Sequence, residues 1–112
     1  MIKATFYRDS DNNYKGFTVS GHAGYASAGK DIVCAGVSML TINTINAVEK
    51  LTECRYKVEQ DKAGTIKFKF LTETGKEPDS QGQLLISALS LGLTEIAKEY
   101  GDKHIQVYFK EV

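Results

Sequence analysis

The chain has 112 residues, 42% hydrophobic and 25% charged, a composition that excludes a disordered or fibrous protein and predicts a single soluble domain over residues 1–112. Basic and acidic side chains number 14 each, so no net charge attracts nucleic acid or an anionic membrane. We therefore expect no direct nucleic-acid partner and no membrane association.

The cysteine content and the first residues favour a reducing compartment. Cys34 and Cys54 are too few for a disulfide framework, and the opening MIKATFYRD has no apolar secretory segment after a basic one. Residues 32–48 carry no charge, but polar side chains interrupt them, whereas a membrane span needs about 20 predominantly apolar residues. We expect a cytoplasmic protein in which this segment is buried by protein.

Two strands and a helix are predicted in the first half of the chain. IKATFYR and YKGFTVS alternate apolar and polar residues around the turn DSDNN, which predicts an antiparallel hairpin ending at Gly21 and His22. Residues 23–30 are small and predict a loop that can move. Asp31 is expected to cap a helix that runs to about Leu51 and is covered by a second helix or a second subunit.

The second half repeats this order and completes the fold prediction. RYKVEQ, DKAG and TIKFKFL predict another hairpin, and HIQVYFKE predicts a last strand. Between them, Ser80 with Gln83 fits a capping box and Gly101 ends the apolar stripe of a second helix. The predicted fold is α+β, with two helices packed on a mostly antiparallel five-stranded sheet in the order ββαββαβ.

The segment GHAGYASAGKDIVCAGVS contains the candidate chemistry. With Asp31 as the cap, Cys34 is the third helical residue, where unpaired N–H groups and the helix dipole favour the nucleophilic thiolate. His22, at the end of a strand, can reach the thiol because the glycine-containing loop lets the chain double back. The amides at the helix start are expected to bind a developing oxyanion.

The pattern alone leaves the roles of these residues open. A lone cysteine and histidine are more often structural, so Cys34 is also compatible with a small buried side chain, and Asp31 either caps the helix only or also orients His22. Ser38, four residues after Cys34, either bonds to the site or to its own helix. The residues expected to form a loop over the substrate are Gly21, Ala23, Gly24, Tyr25 and Gly29.

The remaining cysteine and histidine do not indicate a metal site. Cys54 precedes a strand and is interpreted as structural, and His104 as a surface or hydrogen-bonded residue. No cysteine or histidine pair has short metal-ligand spacing, so no metal and no cofactor are expected.

The same 18-residue segment resembles the signature of the ribosomal-processing cysteine protease family (Prp), and the resemblance covers essentially the whole chain. It implies a homodimeric endopeptidase that removes a short N-terminal extension from bacterial ribosomal large-subunit protein twenty-seven, cutting after an aromatic pair and before a small residue. The family's histidine falls on His22 and its nucleophile on Cys34, with Asp31 and Ser38 in supporting positions. The substrate groove is expected between loop 23–30 and the start of the first helix.

Two other functions remain as alternatives. One is a non-catalytic, ribosome-associated binding protein that uses a sheet edge or the face containing Lys67 and Lys69. The other is a different thiol reaction, such as acyl transfer, at the same Cys34 and His22.

Overall fold

The computed structural model describes residues 1–27, 29–72 and 76–112. Five strands and two helices occur in these ranges in the predicted order, which confirms the α+β class. They are β1 (Ile2–Arg8), β2 (Tyr14–Gly21), α1 (Ile32–Leu51), β3 (Tyr56–Gln60), β4 (Ile66–Phe70), α2 (Ser80–Tyr100) and β5 (Ile105–Glu111).

The five strands form one mixed sheet in the order β3-β4-β2-β1-β5. Three neighbouring pairs are antiparallel, and only β1 and β5 run parallel. A parallel pair needs a long connection, and the chain between β1 and β5 includes both helices. The sheet is therefore mostly antiparallel, as predicted.

The core lies between one face of the sheet and the two helices. Alternate strand residues point into it, as the period-2 patterns predict, and each large apolar side chain buried there contributes about 1.5–3 kcal/mol. The largest fully buried side chains include Phe6, Phe17, Ile86, Leu89, Leu93 and Ile105.

The helices pack closely where glycines remove side chains from the contact. Gly36 of α1 lies near Ile96, and a Cβ on Gly92 would be only 3.0 Å from Leu40 Cδ1. By length and composition α1 could cross a membrane, a test that core helices of soluble proteins also pass. Its inner side chains are buried, but apolar side chains remain exposed on both helices, with Met39 70% and Leu51 71% exposed on α1 and Leu84 69% and Leu91 63% exposed on α2.

The predicted capping box at the start of α2 is wrong. The N-cap is Asp79, whose carboxylate accepts two backbone N–H bonds in the first turn, and Ser80 is the first helical residue. The Gln83 side chain turns away to β2, where it accepts the N–H of Tyr14 at 2.6 Å and donates to its carbonyl at 2.9 Å. A carboxylate one position earlier caps the helix equally well and leaves Gln83 free for this contact.

Candidate active site

The end of β2 and the start of α1 bring the motif histidine and cysteine to one place. His22 follows the last residue of β2 and is exposed, whereas Cys34 is the third residue of α1 and is half-buried. Gly21 has a φ of 87°, and a Cβ there would lie 2.2 Å from the Met1 carbonyl oxygen, so only glycine fits before His22. Both side chains line the same two cavities.

Asp31 fastens the preceding loop to the helix. Its Oδ1 accepts the N–H groups of Val33 and Cys34, each at 3.0 Å. Its Oδ2 accepts those of Tyr25 at 3.0 Å and Ala26 at 3.4 Å. These bonds, first of all the one from Cys34, lower the pKa of Asp31, although desolvation opposes them.

The bonding of Asp31 supports the capping role considered for it. Its carboxylate accepts four backbone amides of the loop and of the first helical turn, and a role in orienting His22 stays a prediction. The amides at the helix start were expected to bind a developing oxyanion. Two of them, those of Val33 and Cys34, donate to Asp31 in this structure.

The sulfur of Cys34 instead receives a hydrogen bond from the loop. The backbone N–H of Ala23 donates to Sγ at 3.2 Å, and Ala23 is 1% exposed. The sulfur is therefore held against the buried end of the loop, next to His22.

His104 holds the other side of Ala23. Its Nδ1 is 2.9 Å from the Ala23 carbonyl oxygen, and its ring packs edge-on against Tyr25, with centroids 5.3 Å apart. Tyr25 makes a second edge-on contact with Tyr100. The sequence interpretation of His104 as a bonded residue is correct, but its contact with the site was missed because 81 positions separate it from Ala23.

Two cavities open beside Cys34. The larger, about 590 Å³, lies at the start of α1, in the region where the groove was expected, and its lining includes Gly24, Gly29 and Ser38. The smaller, about 240 Å³, adjoins it, shares His22, Cys34 and Ser38 with it, and extends along α1 to Thr41 and Ile42. Its far wall, which the sequence analysis did not predict, comes from Gln60, Ala63, Gly64 and Ile66 around the β3–β4 turn.

The comparison with known proteins identifies the family. The model of the cysteine protease Prp family matches residues 1–106. This chain belongs to the Prp family. The ribosomal processing cysteine protease Prp of Bacillus subtilis is 35% identical over 104 residues, which cover 91% of this chain and 92% of the relative. Prp of Staphylococcus aureus is 29% identical over 110 residues, 98% of this chain and 100% of the relative.

Solved structures of Prp proteins have the same fold. Prp from Staphylococcus aureus in complex with a covalently linked product peptide has a TM-score of 0.88 at 25% identity, covering 98% of this chain and 100% of that one. A Streptococcus mutans protein has a TM-score of 0.84 at 33% identity, covering 100% of this chain and 96% of that one. The predicted family and enzyme class are confirmed, and the chain is a cysteine protease.

The second cysteine lies away from this site. Cys54, in the segment between α1 and β3, is half-buried against the first turn of α2. A Cβ on Gly82 would lie 2.6 Å from its sulfur. Burial raises the pKa of its thiol. These contacts agree with a structural role. Among the described residues, no group of three or more histidine, cysteine or acidic side chains is arranged to hold a metal ion.

Proposed function

We propose that this Prp protein removes the short N-terminal extension of bacterial ribosomal large-subunit protein twenty-seven, with Cys34 as nucleophile and His22 as its base. The observation that carries the proposal is that both side chains line the same two cavities, with the sulfur at the helix start. Relatives named ribosomal processing proteases support the substrate class. A ribosomal substrate would support the expected cytoplasmic location.

The proposed reaction uses one proton acceptor twice. His22 takes the Cys34 proton, the sulfur attacks the scissile carbonyl carbon, and the imidazolium gives the proton to the leaving amine. His22 then deprotonates a water molecule that hydrolyses the thioester, which releases the new carboxyl terminus and restores the thiol. Before attack, the Ala23 N–H donates to the sulfur.

The two cavities suit an extended peptide that crosses the Cys34 sulfur. The larger one receives one side of the scissile bond and the smaller one receives the other. Val37, Ile42 and Ile66 give the smaller cavity apolar walls, which fit the aromatic side chain that the resemblance predicts next to the cut.

Cleavage of a peptide bearing the extension tests this proposal. Cys34→Ala should lose turnover, and His22→Ala should lose about 10²–10⁴-fold in kcat. Cys54→Ala is the matched control and should retain activity, because Cys54 packs against Gly82 of α2 and does not line either cavity beside Cys34. Product masses report the bond that is cut. Undiminished cleavage by Cys34→Ala, or loss of activity in Cys54→Ala instead, would refute the assignment.

We also propose that the outer surface of the helices is a homodimer interface. Met39 of α1 and Leu84 and Leu91 of α2 are exposed on the sides turned away from the buried residues of their helices, and exposed apolar area is typical of interface cores. Leu84→Asp with Leu91→Asp should convert a dimer to a monomer in light scattering, whereas Val58→Asp on the edge strand β3 should not. A wild-type monomer at high concentration would exclude this interface.

A further inference from the structure

The sheet face opposite the helices is open, and the register defines which side chains share it. On β1 the core residues Ile2, Ala4 and Phe6 alternate with residues that point away from the helices. The residues paired across the sheet with Lys3, Thr5 and Tyr7 point to the same side, and together they form three rows. They are Lys57, Lys69, Gly16, Tyr7 and Lys110; Glu59, Lys67, Thr18, Thr5 and Tyr108; and Ser20, Lys3 and Gln106.

This open face concentrates positive charge in a chain with no net charge. The three rows contain five lysines and one glutamate, a difference of four positive charges. Glu59 forms an ion pair with Lys57, with Oε1 3.0 Å from Nζ. Lys57, Lys67 and Lys69 all lower the pKa of the Glu59 carboxyl. Lysines on edge strands often serve only to prevent aggregation, but Lys3, Lys67 and Lys69 are on the interior strands β1 and β4.

Aromatic rings lie among these lysines. Tyr108 is 43% exposed, and the Lys3 ammonium is 5.7 Å from its ring centroid. Tyr7 is half-buried on the neighbouring strand, in register with Lys110. Sheet faces that combine aromatic rings with basic side chains bind single-stranded nucleic acid by stacking bases and neutralising phosphates.

We propose that the open face of the sheet binds single-stranded RNA, with Tyr108 stacking on a base and the lysines contacting phosphates. Five strands about 4.8 Å apart span roughly 19 Å, enough for several nucleotides. The peptide site lies on the helical side, so RNA and peptide can bind together. The expectation of no nucleic-acid partner used net charge alone, which says nothing about where the charges lie.

Fluorescence anisotropy with labelled oligouridylate and Cys34→Ala protein tests the proposal. Binding should weaken with salt, by a log–log slope of about −0.7 per neutralised phosphate. Lys67→Gln with Lys69→Gln should reduce that slope by about 1.4. The matched pair Lys50→Gln with Lys98→Gln, on the helices, should leave affinity unchanged. Tyr108→Leu should weaken binding and keep the slope.

The outcomes separate this proposal from the protease function. Peptide cleavage by the Lys67→Gln and Lys69→Gln variant in an otherwise wild-type chain should be unchanged, which also shows that it folds. The proposal is overturned if RNA does not bind at low salt, or if the helix lysine pair weakens binding equally. Equal affinity for polyglutamate of the same charge would also overturn it and assign the face to acidic proteins.

Discussion

Replacing His104 with alanine should slow proteolysis although the residue lies far from Cys34 in sequence. The change removes the Nδ1 contact with the Ala23 carbonyl and the ring contact with Tyr25. A partly buried hydrogen bond contributes about 1 kcal/mol, and an aromatic edge contact contributes about 0.5–1.5 kcal/mol. The sum is about 1.5–2.5 kcal/mol, and since about 1.4 kcal/mol corresponds to tenfold in rate, we expect kcat/KM to fall about ten- to sixtyfold.

Two substitutions and two measurements separate positioning from a general loss of stability. His104→Phe keeps an aromatic ring against Tyr25 but loses the hydrogen bond, so its kcat/KM should lie between those of the wild type and His104→Ala. Lys103→Ala, on the neighbouring exposed residue, serves as the control. Alkylation of Cys34, measured in a Cys54→Ala background, should change in rate because the Ala23 N–H donates to its sulfur.

The reasoning fails if His104→Ala cleaves peptide within twofold of the wild-type rate. It also fails if Lys103→Ala loses as much activity, or if the alkylation rate of Cys34 is the same in all variants. Thermal unfolding identifies a variant whose activity falls only because it is partly unfolded at the assay temperature.

Two further predictions concern stability. Because the folded pKa of Asp31 lies below its unfolded value of 3.8, its bonds stabilise the fold fully above that value and lose their effect as pH falls through the folded pKa. The wild type should therefore lose more stability on acidification below about pH 4 than Asp31→Asn; parallel unfolding curves would contradict this. Gly82→Ala puts a methyl group 2.6 Å from Cys54 Sγ and 3.1 Å from Phe70. This crowding should lower the free energy of unfolding by about 1–3 kcal/mol, whereas the higher helix propensity of alanine should raise it by about 1 kcal/mol. Adding Cys54→Ala should recover part of the loss in denaturant unfolding, and equal destabilisation in both backgrounds would rule out the steric cause.

The local patterns predicted the elements because hydrophobic periodicity and turn residues act over a few positions. Alternation in IKATFYR and TIKFKFL placed β1 and β4, and Gly101 ends α2 as expected, with a φ of 91°. The capping box failed because Ser80 and Asp79 are both good caps. With Asp79 as the cap, the Gln83 side chain bonds to Tyr14 across the fold and not to the helix start, a long-range contact that the local pattern does not specify.

The sequence by itself determined the element order, the cap at Asp31 and the placement of Cys34 in the first turn, since each depends on neighbouring residues. Tertiary structure alone decided that His104 contacts the Ala23 carbonyl and that a chain with no net charge gathers lysines on one face of the sheet. These features depend on contacts between distant segments and on strand register. Neither composition nor local spacing specifies them.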